Sequence, residues 1–242
     1  MDKITFKNGR VWNSINHDVT VIIPAYDEEA GIALTLSELM EKLGDPDYLV
    51  IDGNSADRTA EIASNMGAEV VTQEGEEGKG CAMAQALFHV NQHTQYVVFT
   101  DADFTYPAEP ILDMLDIMDK NPQVGMVTGD RFSKVSECEN AMNHTFFLGN
   151  RLLALSHSIL NGVKLRDPFT GLRVVRWSLL KDWKPKSKGF DIEAELNNYI
   201  LKKGYGAVEI PILYRRRVGV KKLHVKHGIT ILKRILSEAL ET

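Results

Sequence analysis

The chain has 242 residues, of which 44% are hydrophobic and 25% are charged, with a net charge of −5. This composition is typical of a globular protein with a sizeable core, and it argues against a disordered, collagen-like or disulfide-rich chain. The two cysteines, Cys81 and Cys138, lack metal-ligand spacing, which predicts free thiols in a reducing compartment. We expect no signal peptide and no membrane span, because no apolar run has the required length.

The first half of the chain alternates short apolar runs with helical patterns, after a polar lead-in at residues 1–18. Strands are predicted at 19–23, 48–51, 68–71, 96–100 and 124–128. Helices are predicted at 32–43, 81–91 and 109–120, and a further helix between the second and third strands ends at Met66. Strands that alternate with helices are typical of βαβ units. The pattern therefore predicts an α/β fold with a mainly parallel central sheet flanked by helices.

The second half is less regular. Helices are predicted at 143–160, 190–203 and 223–240, a strand at 207–214 and a turn at 167–173. Without a repeat or a clear linker, we expect one domain at 19–242, with a front half at 19–130 and a back half at 131–242. The apolar stripe from Phe146 to Leu155 favours core packing, and the basic amphipathic last helix favours packing on the sheet. A membrane surface is the alternative for both.

The charge is distributed unevenly between these halves. Residues 1–130 contain 7 Lys and Arg against 23 Asp and Glu, a balance of −16. Residues 131–242 contain 21 against 10, a balance of +11. The split predicts a front half that depends on a cation and a back half that faces an anion, although a dipolar surface that serves only solubility would give the same counts.

Two aspartates follow the fourth predicted strand. The apolar run 97–99 stops at Asp101 and Asp103, with Ala102 between them. Ligands of open α/β sheets bind outside the carboxyl ends of the strands. Mg²⁺ is typically held by one or two carboxylates together with substrate phosphates. The pattern predicts that Asp101 and Asp103 hold a metal–phosphate complex, and a solvated acidic loop is the alternative for this motif alone.

Eight short motifs follow one another between residues 19 and 235. They are IIPAYDEE (22–29), VIDGNSADRT (50–59), EGKGCAMAQAL (77–87), FTDADFTYP (99–107), GDRF (129–132), DPFTGLR (167–173), GFDIEAEL (189–196) and RRRVGVKKL (215–223). Together they resemble the family 2 glycosyltransferases of the GT-A fold, and most of all the archaeal type of dolichyl- or polyprenyl-phosphate sugar synthases. The resemblance implies a GT-A fold, a nucleotide-diphosphate sugar donor, inverting transfer and a divalent metal, Mg²⁺ or Mn²⁺.

The resemblance also implies roles for single residues. The positions that match donor contacts are Pro24, Ala25, Tyr26, Glu28, Val50, Asp52 and Lys79. The metal motif matches Asp101, Ala102 and Asp103, with the two aspartates as metal ligands. Arg131 and Arg151 match arginines near an acceptor phosphate, while Arg217 and Lys222 match a basic segment near the end of the domain.

The chemistry of the acceptor decides whether a general base is needed. A phosphate monoester has a second pKa of about 6, so it is already a dianion at neutral pH and needs positioning rather than deprotonation. Arginine forks bind phosphate in two-point geometry. The many Arg and Lys residues from Arg131 onward therefore favour a phosphate acceptor. Should a base be needed, Asp167 is the first candidate and Glu193 the second, although Asp167 before Pro168 could instead cap a turn.

The sequence thus predicts a metal-dependent inverting glycosyltransferase, with Asp103, Arg131 and Asp167 as catalytic candidates. We expect it to move a sugar from a UDP- or GDP-sugar to a polyprenyl or dolichyl phosphate. We expect the reaction at the cytoplasmic membrane face, through peripheral contact or a membrane partner. A soluble or saccharide acceptor, a nucleotidyltransferase and a non-catalytic binding subunit are the alternatives. Nucleic acid is not an expected partner, because no stacking aromatic arrangement is visible.

Overall fold

A computed structural model describes residues 19–133, 144–222 and 224–241. The predicted lead-in and Leu223 lie outside these ranges. The strands are β1 (Val19–Ala25), β2 (Asp47–Asp52), β3 (Glu69–Thr72), β4 (Tyr96–Phe99), β5 (Val124–Asp130), β6 (Arg173–Arg176) and β7 (Gly206–Pro211). The helices are α1 (Ile32–Leu43), α2 (Thr59–Asn65), α3 (Lys79–Ala86), α4 (Glu109–Lys120), α5 (His144–Asn161), α6 (Trp177–Leu180), α7 (Ile192–Lys202) and α8 (Val225–Leu240).

The strands form one sheet in the order β3-β2-β1-β4-β6-β5-β7. Every neighbouring pair is parallel except the two that involve β6, which runs antiparallel to β4 and β5. The predicted α/β fold with a mainly parallel sheet is therefore confirmed. In the register, Ala25 pairs with Asp52, and Ile22 pairs with Phe99. The loops after β1, β2 and β4 consequently leave the sheet at the same edge.

The sheet is covered on both faces, which explains the continuous apolar runs of its central strands. Successive side chains of a strand point to opposite faces. Val21 and Ile23 therefore join the core on the side of α1 and α4, whereas Ile22 joins the core on the side of α3 and α7. Both cores consist of buried apolar side chains, which hold the strands that carry the loops.

The predicted turn at 167–173 continues into a strand that the sequence did not indicate. Only two apolar residues stand between Arg173 and Arg176, so β6 has no strand-like pattern. Arg173 is fully buried, and its guanidinium donates to the Thr170 carbonyl at 2.6 Å and to Asn197 Oδ1 at 3.0 Å. These bonds offset the cost of burying its charge. They also tie the 167–173 segment to α7.

The packing of α5 and α8 corrects two predictions about the back half. The expectation that the last helix packs on the sheet is wrong, because α8 packs chiefly against α5 and α7. Core packing of the α5 stripe is also wrong for Leu148, Leu152 and Leu155, which are exposed. The side chain of Phe146 lies outside what the structure describes. Within the described ranges, no helix is both long and apolar enough to cross a membrane.

Candidate active site

Three strand-end loops surround a cavity at the edge of the sheet. The loops after β1, β2 and β4 contain Asp27, Asn54 and Phe104, whose φ angles are 48°, 60° and 63°. A left-handed backbone is uncommon for residues other than glycine and turns the chain sharply. The cavity between these loops has a volume of about 450 Å³. It is closed on its other sides by parts of α3, α5, α7 and α8 and by the segment after β7.

Most of the predicted site residues line this cavity. They are Pro24, Ala25, Tyr26, Glu28, Lys79, Asp101, Ala102, Asp103, Arg131, Arg217 and Lys222. They come from segments almost 200 residues apart in the chain. Their convergence on one cavity follows from the parallel order of β2, β1 and β4, whose carboxyl ends meet at one edge.

Four predicted residues lie elsewhere. Val50 belongs to the core under α1, and Arg151 is exposed on α5, where its neighbour Asn150 reaches the cavity instead. Asp52 lies below the cavity lining, where its Oδ2 accepts a hydrogen bond from the Ser55 amide at 3.1 Å. Its buried Oδ1 has no hydrogen-bond partner among the described residues. Asp167 is fully buried behind Arg131.

Asp101 is held by a lysine from the start of α3. Gly78 caps this helix with a φ of 132°, so α3 begins at Lys79 rather than at the predicted Cys81. Lys79 Nζ lies 2.7 Å from Asp101 Oδ1 and 2.7 Å from Glu193 Oε1. Burial opposes the charge of Lys79, but the two carboxylates outweigh it and raise the pKa of Lys79. Burial likewise opposes ionisation of Asp101, and Lys79 outweighs it and lowers the pKa of Asp101.

The surroundings of Asp103 disfavour its ionised form. Its Oδ1 accepts hydrogen bonds from the Thr105 hydroxyl at 2.5 Å and the Thr105 amide at 3.1 Å, and its Oδ2 accepts from Arg217 Nη1 at 2.5 Å. Burial and then the neighbouring charge of Asp101 raise the pKa of Asp103 above its ordinary value. A cation beside both carboxylates would relieve this repulsion.

The donor set fits a divalent cation that is shared with a ligand. No group of three or more His, Cys, Asp or Glu side chains suited to a metal occurs in the described parts of the chain. Two carboxylates completed by phosphate oxygens are a typical Mg²⁺ arrangement. A Cβ at Gly171 would lie 2.7 Å from Asp101 Oδ2, so only glycine leaves that oxygen accessible. Asp101 and Asp103 are therefore the residues that would hold the ion.

Arg131 and Asp167 form a buried two-point ion pair. Arg131 Nε donates to Asp167 Oδ2 at 2.6 Å, Arg131 Nη2 donates to Oδ1 at 2.7 Å, and the Arg131 amide adds a bond of 3.1 Å to Oδ2. The guanidinium also lies over the ring of Tyr214, 5.2 Å from its centroid. Both oxygens of Asp167 are thus engaged by Arg131, and the arrangement fixes the guanidinium at the cavity wall.

A segment of the back half crosses the cavity beside Asp103 and Glu28. We call residues 212–222, which follow β7, the strap. Arg217 bridges Asp103 and Glu28, and Lys222 Nζ donates to Glu28 Oε1 at 3.1 Å. Arg215 forms a two-point ion pair with Glu38 of α1, with one contact of 2.5 Å and one of 2.8 Å. The strap therefore joins the basic half to the acidic half.

Comparison with known proteins places these observations in a family. The family model described as Glycosyl transferase family 2 matches residues 20–182. The chain belongs to glycosyltransferase family 2.

Similar proteins and structures agree with this membership. A dolichyl-phosphate hexose transferase from Haloferax volcanii is 35% identical, over 93% of this chain and 95% of the relative. A polyprenol monophosphomannose synthase from Mycolicibacterium smegmatis is 25% identical, over 84% of this chain and 80% of the relative. Glucosyl-3-phosphoglycerate synthase from Mycobacterium tuberculosis, solved with Mn²⁺, UDP-glucose and phosphoglyceric acid, has a TM-score of 0.72 at 20% identity, over 93% of this chain and 80% of that one. The GT-A fold and the likeness to polyprenyl-phosphate sugar synthases are confirmed.

The sequence does not predict several residues of this candidate site. Glu38 anchors the strap, Thr105 orients Asp103, and Gly171 makes room for Asp101. The Tyr106 hydroxyl accepts a hydrogen bond from the Gly171 amide at 2.7 Å and so fixes that close approach. The sequence predicts Glu193 only as a second candidate base, whereas the structure buries it against Lys79. Thr105, Tyr106, Gly171 and Glu193 all fall inside the quoted motifs, whereas no sequence signal pointed to Glu38.

Proposed function

We propose that this glycosyltransferase moves a sugar, with inversion, from a UDP- or GDP-sugar to a polyprenyl or dolichyl phosphate. The proposal depends chiefly on one observation. A single cavity is lined by the paired carboxylates Asp101 and Asp103, by the buried guanidinium of Arg131 and by the apolar side chains of Phe169 and Ile231. We infer that these three groups offer a site for a nucleotide diphosphate, a site for a phosphate and a site for an apolar chain, respectively. The names of the relatives from Haloferax volcanii and Mycolicibacterium smegmatis support the same acceptor class.

The donor occupies the acidic end in this proposal. Ala25, Tyr26 and Gly53 form the wall nearest the ends of β1 and β2, where a nucleoside fits. Asp101 and Asp103 hold Mg²⁺ or Mn²⁺, which supplies charge stabilisation for the diphosphate when bound. Lys79 and Arg217 already face the two carboxylates, so they can transfer their bonds to diphosphate oxygens.

The acceptor phosphate binds beside Arg131. One of its oxygens attacks the anomeric carbon from the side opposite the diphosphate, which leaves with the electron pair of the broken C–O bond. No proton has to be removed from a phosphate dianion, so no base is required. We therefore assign Asp167 the role of holding Arg131 in position, because both of its oxygens are already occupied by that residue.

The acceptor class also sets the place of reaction. A polyprenyl chain resides in the bilayer while a nucleotide sugar is dissolved in water, so the cavity must open at a membrane surface. We propose that the enzyme works at the cytoplasmic face, by peripheral contact or with a membrane partner.

A donor panel tests the proposal directly. UDP- and GDP-sugars are offered with Mg²⁺ or Mn²⁺, with and without a short polyprenyl phosphate, and nucleoside diphosphate and labelled lipid are measured. We expect release and label only when donor, metal and lipid phosphate are all present. Equal release without the lipid would replace the proposed acceptor by a soluble one. Release of pyrophosphate would instead indicate nucleotidyl transfer.

A further inference from the structure

The outer helices α5 and α8 each carry an apolar stripe that no described part of the chain covers. On α5, Leu148, Leu152, Leu155 and Ile159 are 57–72% exposed. Their spacing of four, three and four residues places them on one narrow face of the helix. Four exposed residues in a line are more than the scattered single apolar residues of an ordinary surface.

The stripe on α8 has the same form. Ile229, Leu232, Leu236 and Leu240 are 38–88% exposed and are spaced by three, four and four residues. The opposite face of α8 is buried through Ile231 and Ile235, which pack with Ala194 of α7. The stripe of α8 therefore points away from the body of the protein.

The two stripes belong to one layer. The buried residues Ala154 and His157 lie on the face of α5 opposite its stripe. Asn161 Nδ2 of α5 donates to the Ile235 carbonyl of α8 at 3.0 Å, and the two helices pack along each other. Both stripes thus lie on the outward side of a two-helix layer, which we call the α5–α8 face.

The exposed charges on the two helices of this face are positive, and Glu241, which is exposed just after α8, is paired with Lys186. Lys226 and Lys233 are exposed beside the α8 stripe, and Lys164 is exposed just beyond the end of α5. The sequence of α5 contains no Asp or Glu, and the single acidic residue of α8, Glu238, is buried. An apolar surface with basic residues and no exposed carboxylate on its helices is complementary to a bilayer that contains anionic lipids.

The acceptor end of the cavity is adjacent to the same layer. Asn150 of α5 and Ile231 of α8 contribute to the cavity wall, and Phe169 packs against the cluster that contains Ile231. We propose that the α5–α8 face docks on an anionic lipid bilayer and so holds the acceptor end of the cavity close to the membrane that contains the polyprenyl phosphate. The docking proposal rests on the proposed function for its acceptor, but vesicle binding tests the surface independently.

Vesicle binding of the full chain is the decisive experiment. Sedimentation is measured with vesicles of phosphatidylcholine and with vesicles that also contain phosphatidylglycerol. We expect binding to the second kind, and a loss of about tenfold or more in the variants Leu152→Gln/Leu155→Gln and Leu232→Gln/Leu236→Gln. Phe88→Gln is the matched control, because Phe88 is 88% exposed outside the face, and it should bind like the unchanged protein. Lys226→Gln/Lys233→Gln should weaken binding about tenfold at low salt and less at high salt.

The outcomes separate this surface from the reaction. Transfer to a short, water-soluble isoprenyl phosphate should be retained by the leucine variants, while transfer to a long-chain acceptor in vesicles should fall with their binding. Failure of the unchanged protein to bind either vesicle would overturn the docking proposal, as would equal binding by all variants. A dimer in light scattering that the leucine variants dissociate, without vesicle binding, would assign the face to a second copy of the chain. Vesicle binding without any sugar transfer would support the surface and refute the proposed function.

Discussion

The two ends of the cavity use charge in different ways. At the proposed donor end, Asp101, Asp103 and Glu28 are paired with Lys79 and Arg217, and these ion pairs are partly accessible. At the proposed acceptor end, Asp167 is fully buried and both of its oxygens are bound by Arg131. The donor end can exchange its partners for a ligand, whereas the acceptor end is a fixed structural pair. In this proposal, the same attraction between acid and base serves binding at the donor end and rigidity at the acceptor end.

The unsatisfied atoms support this distinction. Glu28 Oε2 and Arg217 Nε are buried and have no hydrogen-bond partner among the described residues. Burial, which outweighs the attraction of Arg217 and Lys222, raises the pKa of Glu28. Unpaired buried polar groups cost free energy, so a ligand that pairs them recovers that cost. Substitutions at the donor end should therefore change activity, and substitutions at the acceptor end should change both activity and stability.

The largest effect is expected for Asp103→Asn. The substitution removes one of the two proposed metal ligands while preserving shape, so sugar transfer should fall by about 10³-fold. The free energy of unfolding should change by about 1 kcal/mol or less, because the repulsion between the two aspartates is also removed. Transfer rates and urea unfolding measure both quantities. Asp45→Asn, at an exposed position away from the cavity, is the control. Unchanged transfer by Asp103→Asn would refute the metal site.

A large effect on both quantities is expected for Asp167→Asn. The buried guanidinium of Arg131 would lose its counter-charge, which should lower the free energy of unfolding by about 3 kcal/mol. Transfer should also fall, because Arg131 would no longer be held at the cavity wall. The double variant Arg131→Met/Asp167→Leu should recover much of the stability but none of the transfer. If Asp167 were instead a base, Asp167→Asn would remove one limb of the pH–rate profile and leave stability intact.

For His157, which lies on the buried face of α5, we expect an effect on the free energy of unfolding alone. Burial lowers the pKa of His157 from 6.5 to about 4, so the folded protein binds this proton less readily than the unfolded chain. His157 therefore contributes stability above pH 6.5 that is lost as the pH falls through 4, about 3 kcal/mol in total. In His157→Leu, pH-dependent urea unfolding should lose this slope between pH 6.5 and 4. His93→Leu, at an exposed site, should keep it.

The smallest effect on activity is expected for the ion pair between Glu38 and Arg215, which anchors the strap. Burial opposes ionisation of Glu38, but the hydrogen bond from Arg215 prevails and lowers the pKa of Glu38. Glu38→Gln and Arg215→Met should each raise the donor KM a fewfold by loosening Arg217, with kcat little changed. A double-mutant cycle should give a coupling energy of about 1 kcal/mol. Additive effects would show that the pair does not position the strap.

The sequence by itself determined the regular half of this enzyme. Apolar runs that alternate with helical patterns indicate the parallel strands. The apolar run that ends at Phe99 places Asp101 and Asp103 at a strand end. The order of the eight motifs indicated the family, which the family model confirms. These are local signals, since periodicity reports how a short segment is buried by whatever surrounds it.

Only the tertiary structure decided which distant groups meet. Arg131 and Asp167 are 36 residues apart, and they pair because β5 lies next to β6. The sequence RVVR of β6 does not have a pattern that predicts a strand. Glu38 and Arg215 are 177 residues apart, and their contact depends on the strap crossing to α1. The outward apolar stripes of α5 and α8 have the same periodicity as buried helix faces. Periodicity shows that a face is apolar, but only the packing of the neighbouring elements decides whether that face is covered.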